Sequence, residues 1–125
     1  MLDVEVSNIP WLRGVFETGT NCSSYFSYLF FVSKDAPIGR DELCERLCYA
    51  GIPARRGNLY EPLYKLDIFH DALPKYMSVL SHPRYDIDYE CPNAEEANAH
   101  LVRLEMLEIF GLSEAKIFRR VLNGQ

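Results

Sequence analysis

Residues 40 to 53 constrain the fold most strongly, because they specify both a helix and the point where it ends. Leu43 and Leu47 recur at helical spacing among charged residues, which predicts an amphipathic helix with one apolar face. Gly51 is the residue type that ends helices in a left-handed conformation, and Pro53 cannot continue one. The sequence therefore predicts a helix that stops just before Gly51, after which the chain changes direction.

The segments around this helix predict strands and irregular connections. Residues 23–32 are rich in β-formers and predict a strand at the centre of a sheet, covered on both faces in its C-terminal half. Residues 54–57 predict a short extended segment. Residues 1–14 show no sustained period, so we interpret them as an N-terminal arm or a short first element. Residues 71–90 are interpreted as a surface excursion.

The C-terminal third contains two helix starts and one ambiguous segment. Pro92 is favoured as the first residue of a helix, with acidic residues in its first turn. Residues 102–110 fit either a continuation of that helix or a strand, and both alternatives stay open. Ser113 is interpreted as the N-cap of a last helix, which Gly124 ends.

Length and composition limit the class of protein. The 125 residues fit one domain (1–125), with 15–123 as its main body after the arm. An apolar content of 48% excludes a disordered or low-complexity chain. A formal net charge of −5 argues against a nucleic-acid partner, which requires an electropositive surface.

The sequence favours a cytoplasmic protein without a membrane partner. The N-terminus lacks the basic and apolar regions of a signal peptide, and the longest apolar run, residues 28–32, is too short to cross a bilayer. The four cysteines form no CxxC pair, so we interpret them as reduced, buried core residues. Alternating Asp86, Asp88 and Glu90 are interpreted as a solvated acidic edge. We therefore predict no metal site.

Four short motifs together resemble a known family. They are Arg-Asp-Glu-Leu at 40–43, the helix end with Gly-Ile-Pro at 47–53, Glu-Pro-Leu-Tyr at 61–64 and Cys-Pro-Asn-Ala-Glu at 91–95. In this order and spacing they look like the C-terminal small domain of the DegT/StrS type of PLP-dependent sugar aminotransferases, over residues 23–123. The resemblance implies an α+β fold, with a small, mainly antiparallel sheet of three to four strands and helices on one face.

The same resemblance bears on the cofactor. In such enzymes the PLP-binding lysine and the phosphate-binding loops lie in a large N-terminal domain, and we expect this chain to be without that domain. Its lysines, Lys34, Lys65, Lys75 and Lys116, have none of the family's sequence context, and there is no glycine-rich strand-to-helix turn for a phosphate. We therefore expect no PLP, no catalytic residue and no transamination by this chain alone.

A cluster of arginines and tyrosines is the candidate ligand site. By resemblance, Tyr60 and Tyr64 belong to a loop near the active site, and Arg55 and Arg56 precede it. Guanidinium groups beside these rings would bind a carboxylate or phosphate while the rings stack on a sugar. The alternative is that one arginine faces solvent and the other pairs with Glu61 or an acid of the excursion.

Three functions remain open at this point. The favoured one is a non-catalytic relative of the small domain that acts through self-association, most simply as a homodimer, or through a protein partner. The second is a detached subunit that completes a split PLP-dependent sugar aminotransferase by binding a PLP-binding large-domain protein. The third is a small module that binds a sugar or a nucleotide-sugar.

Overall fold

The computed structural model describes residues 2–15, 26–57, 59, 61–68, 75, 90–105 and 111–124. Its elements are, in chain order, α1 (Leu2–Ser7), β1 (Leu12–Gly14), β2 (Ser27–Val32), α2 (Arg40–Tyr49), β3 (Ala54–Arg56), a 3₁₀ turn (Leu63–Lys65), α3 (Pro92–His100), β4 (Leu101–Glu105) and α4 (Leu112–Leu122). The four strands form one sheet in the order β1-β2-β4-β3, and each neighbouring pair is antiparallel. The predicted α+β fold is confirmed.

The core lies between one face of this sheet and helices α1, α2 and α4. Phe30 of β2 and Phe118 of α4 are fully buried there, and their rings meet edge to face with centroids 5.8 Å apart. Burial alternates along β2, so its second face is only half-buried. The strand was predicted to be covered on both faces in its C-terminal half, whereas only one of its faces is fully buried.

The predicted end of α2 is confirmed in detail. Gly51 has a left-handed φ of 87°, and its N–H donates to the carbonyl of Cys48. The N–H of Ile52 donates to the carbonyl of Leu47 at 2.9 Å, and Ile52 is buried. These two bonds satisfy carbonyls that a helix end leaves open, and they direct the chain into β3.

The ambiguous segment is a strand where the structure describes it. α3 begins at Pro92, as predicted, and ends at His100 because Leu101 has extended backbone angles. β4 then pairs with β2 on one side and β3 on the other. The sheet therefore decides between strand and helix for residues 102–105, while residues 106–110 lie outside the described part.

The predicted cap of the last helix is wrong. α4 begins at Leu112 with Gly111 as N-cap, so Ser113 is the second helical residue. The carboxylate of Glu114 accepts the N–H of Gly111 at 2.7 Å and the hydroxyl of Ser113 at 2.8 Å. The glutamate three residues after the cap therefore satisfies the backbone N–H of the cap residue itself.

The N-terminal residues form short first elements that pack on the body, the second of the two predicted alternatives, and not an arm. Val6 of α1 is fully buried, and Leu12 pairs with Val32 at the edge of the sheet. The hydroxyl of Tyr28 also donates to Asp3 at 2.8 Å. A six-residue helix and a three-residue strand are too short to show a period, so pairing with β2 was not visible in the sequence.

The cysteines differ from one another. Cys44 is buried, and this burial raises the pKa of its thiol to about 11. Cys48 is exposed, contrary to the prediction, and its thiol donates to the carbonyl of Ala54 at 3.2 Å. Cys91 is half-buried, and Cys22 lies outside the described residues.

The described residues contain no group of three or more His, Cys, Asp or Glu side chains arranged to hold a metal ion. None of their helices is long and apolar enough to cross a membrane. Of the predicted excursion at 71–90, only Lys75 and Glu90 are described.

Candidate functional site

A cleft of about 750 Å³ opens where α3 begins, beside the end of β3 and the start of α2. Among the described residues, its charged lining consists of three cations and three carboxylates, Arg40, Arg56, Lys65, Glu61, Glu95 and Glu96. The formal charges of this lining cancel. An anionic ligand would therefore have to displace carboxylates from the cations that they accompany.

The Tyr64 hydroxyl joins the 3₁₀ turn to the start of α3. It donates to one carboxylate oxygen of Glu95 and accepts the backbone N–H of Cys91 at 3.2 Å. The ammonium of Lys65 lies 2.7 Å from the other oxygen of Glu95. Two neighbouring side chains of the turn thus share one carboxylate of the helix, which fixes one wall of the cleft.

The ionisation of this trio follows from its contacts. The pKa of Glu95 is lowered, chiefly by the hydrogen bond from Lys65 and then by that from Tyr64. The same contact raises the pKa of Lys65. Desolvation, followed by the bond to Glu95, raises the pKa of Tyr64. All three shifts move titration away from neutral pH.

Arg40 and Gly57 both lie against Asn98, a residue of the cleft lining. The guanidinium of Arg40 donates to the carbonyl of Asn98 at 2.7 Å, near the C-terminal end of α3, where a cation is favourable. Gly57 has a φ of 65°, and a Cβ there would lie 2.4 Å from the Asn98 side-chain oxygen. The close approach of β3 and α3 therefore requires glycine at this position.

The structure separates the two arginines of the predicted site. Arg56 lies in the cleft and pairs with Glu45 at 2.8 Å and Asp41 at 3.5 Å. Arg55 projects from the opposite face of β3, where its guanidinium pairs with Glu105. Both arginines therefore have acidic partners, although neither partner is the one that the sequence suggested.

The two tyrosines have different outcomes. Tyr64 contacts the cleft wall through Glu95, whereas Tyr60 lies outside the described residues. Three further residues line the cleft that were not predicted from the sequence, namely Arg40, Lys65 and Glu95. The acid in the first turn of the Pro92 helix was a signal for Glu95, but nothing local indicated that the turn at residues 63–65 would reach it.

No protein-family model matches the chain, and no curated protein sequence matches it. Solved structures do match, and they define the class. The chain is similar to part of PLP-dependent, sugar aminotransferase-like enzymes, which confirms the resemblance predicted for residues 23–123.

The particular neighbours include two structures of a sugar dehydratase. One is E. coli GDP-4-keto-6-deoxy-D-mannose-3-dehydratase with bound hydrated PLP, at 27% identity and a TM-score of 0.60, covering 95% of this chain and 27% of that one. Another is a mutant of GDP-4-keto-6-deoxymannose-3-dehydratase with bound GDP-perosamine, at 27% identity and a TM-score of 0.60, covering 95% and 28%.

A third neighbour, 3-amino-5-hydroxybenzoic acid synthase, has a TM-score of 0.64 over 98% of this chain and 31% of its own. Its identity of 19% shows the fold alone. The chain thus spans less than a third of the length of these neighbours.

The described residues do not fit PLP. All four lysines of the chain are exposed. Lys34 and Lys65 lie 2.7 Å from Glu96 and Glu95, respectively. A lysine that binds PLP needs a shielded pocket and a phosphate cradle beside it, and the described residues supply neither.

Proposed function

We propose that this chain is the part of a PLP-dependent, sugar-modifying enzyme that does not hold the cofactor, and that it acts by binding protein. The observation that carries the proposal is the match of 95% of the chain to about a quarter of a sugar dehydratase at 27% identity. The four exposed lysines support a role without catalysis by this chain alone.

The partner is either a second copy of the chain or a polypeptide that binds PLP. The half-buried second face of the sheet supports docking, since water penalises its exposed apolar area by about 25 cal/mol per Å². The first case is a homodimer with a two-fold interface. The second case is a subunit that completes a split enzyme, whose activity belongs to the pair.

Light scattering tests both cases. The chain is measured alone over a hundredfold range of concentration, and then mixed with the E. coli dehydratase from which the matching segment has been deleted. The proposal expects a dimer or a one-to-one complex. A chain that stays monomeric alone and in the mixture would contradict it.

A second function is supported by the cleft and by one neighbour. The dehydratase mutant binds GDP-perosamine, and the cleft holds Arg56 and Lys65, which are able to contact a diphosphate. A nucleotide-sugar module is therefore the alternative, although binding must displace Glu45 from Arg56 and Glu95 from Lys65.

Thermal shift with a GDP-sugar tests this alternative. Wild type should be stabilised, and Arg56→Ala and Tyr64→Ala should lose the shift. Arg119→Ala, on α4, serves as the control because that arginine lies outside the cleft lining and is exposed. A shift of equal size in all four proteins would exclude the cleft as the binding site.

A further inference from the structure

Tyr49, the last residue of α2, is an aromatic residue that lies almost entirely in water. It is 97% exposed, although residues on the opposite side of the same helix are fully buried. A groove of about 660 Å³ opens beside it, between the C-terminal ends of α2 and α4. The groove is lined by Glu45, Arg46, Tyr49, Ala50, Val121 and Gly124. Tyrosine rings are enriched in protein interfaces, so an exposed ring beside a partly apolar groove indicates a docking surface.

The two helices that flank the groove have formal charges of opposite sign. α2 carries three acids and two arginines, a charge of −1, whereas α4 carries three bases and one glutamate, a charge of +2. On the exposed side of α2, Glu42 and Glu45 are three residues apart. On the exposed side of α4, Lys116 and Arg120 are four residues apart. We call these four residues, together with Tyr49 and the groove, the helix face.

The carboxylates of this face already have partners within the chain. Glu42 pairs with Arg46 at 2.6 Å, and Glu45 pairs with Arg56 at 2.8 Å. All four side chains are exposed, and ion pairs in such positions contribute little because water screens them. Glu42 and Glu45 are therefore able to contact cations of another molecule at small cost.

A two-fold axis that runs along the groove makes the helix face complementary to itself. Such an axis places α2 of each copy over α4 of the other. Because both helices contribute their C-terminal ends to the groove, Tyr49 of one copy then meets Val121 and Gly124 of the second copy. The same rotation sets the acidic half of each copy against the basic half of the other.

We propose that the helix face binds a second copy of this chain. The inference rests on the proposed function, and it names both the partner and the surface. Helices of 10 and 11 residues are about 15–17 Å long, and packed neighbours lie about 8–10 Å apart. Such a face is smaller than the roughly 800 Å² per subunit of a standard interface. The dimer is therefore weak, with a Kd above about 1 μM.

Sedimentation velocity from about 5 to 500 μM measures this association. Tyr49→Ala removes the exposed ring and should weaken the dimer at least about ten-fold, because a two-fold interface loses the ring twice. Phe26→Ala is the matched control, since Phe26 is 90% exposed and lies outside the groove lining. It should change the Kd by less than about two-fold. Circular dichroism melts establish that both variants are folded.

An exchange of charges tests the two-fold arrangement itself. Glu42→Lys with Glu45→Lys makes the α2 half basic, and Lys116→Glu with Arg120→Glu makes the α4 half acidic. Each double variant alone should dimerise at least about ten-fold more weakly, because like charges then meet at both contacts. An equimolar mixture should associate again, because α2 of each variant faces an opposite charge on α4 of the other. A chain with all four substitutions restores both contacts in one homodimer and repeats the test.

Three outcomes would overturn the inference. They are a wild type that stays monomeric at every concentration, equal effects of Tyr49→Ala and Phe26→Ala, and charge variants that fail to associate when mixed or combined. A dimer that none of the substitutions weakens would assign the interface to another surface and leave the proposed function standing. A chain that is monomeric alone but binds the trimmed dehydratase would also leave it standing.

Discussion

Substitution of Gly57 tests whether β3 and α3 approach each other as closely as the structure shows. An alanine Cβ at this position would lie 2.4 Å from the side-chain oxygen of Asn98 and 2.9 Å from the backbone oxygen of Leu59. The backbone there also has a φ of 65°. Gly57→Ala therefore combines a left-handed alanine with two steric conflicts.

Gly51→Ala is the matched control. Gly51 has a φ of 87°, but nothing lies within 4 Å of a Cβ built on it. A left-handed alanine costs about 1–2 kcal/mol, and this cost applies to both variants. Overpacking adds about 1–3 kcal/mol and applies to Gly57→Ala alone. The gain from restricting the unfolded chain is shared, so it cancels in the comparison.

Urea unfolding followed by circular dichroism measures the difference. Gly57→Ala should be less stable than Gly51→Ala by about 1–3 kcal/mol, with an unchanged dependence on urea. Adding Asn98→Ala to Gly57→Ala should restore part of the loss, because the contact with the Leu59 carbonyl remains. Variants at positions 51 and 57 that agree within about 0.5 kcal/mol would refute the close approach of the two elements.

Three further predictions follow from other parts of the molecule. Phe118→Ala should lower the free energy of unfolding by about 3–5 kcal/mol, because it empties a fully buried ring site, and a loss below about 1 kcal/mol in urea unfolding would contradict the core. The stability that Glu95 contributes should be present above its unfolded pKa near 4.5 and be lost as pH falls through its lowered folded pKa. The urea midpoint of Glu95→Gln should therefore fall less on acidification than that of wild type. Parallel pH profiles of the two proteins would refute the pair with Lys65. Iodoacetamide at pH 8 should label exposed Cys48 well before Cys44, whose thiol is buried with a pKa of about 11, and equal rates in peptide mass spectrometry would exclude this placement.

Sequence signals were sufficient where the residues within one helix or at its ends decide the structure. The end of α2 needed only Gly51 and the residues beside it, and Pro92 marked the start of α3. The signals failed where a partner element decides. Leu12–Gly14 is a strand only because β2 lies next to it, and residues 102–105 are a strand only because two neighbours pair with them.

The candidate site shows the same division. Neighbouring residues of a strand project to opposite faces. The prediction of an extended segment at residues 54–57 therefore already implied that Arg55 and Arg56 lie on opposite faces of β3. The partners of these arginines come from α2 and β4, at sequence separations of 11 and 50 residues. Local sequence patterns do not predict contacts between residues so far apart in the chain. The hydrogen bond between Tyr64 and Glu95 could not be predicted for the same reason.

Titration with PLP tests most directly the central claim that this chain does not hold a PLP cofactor by itself. Protein-bound PLP absorbs at about 410–430 nm, and saturable binding would give that band at one equivalent. We predict no saturable band, and no difference between wild type and single Lys→Ala variants at the four exposed lysines. A one-to-one band that disappears in one of these variants would contradict the claim.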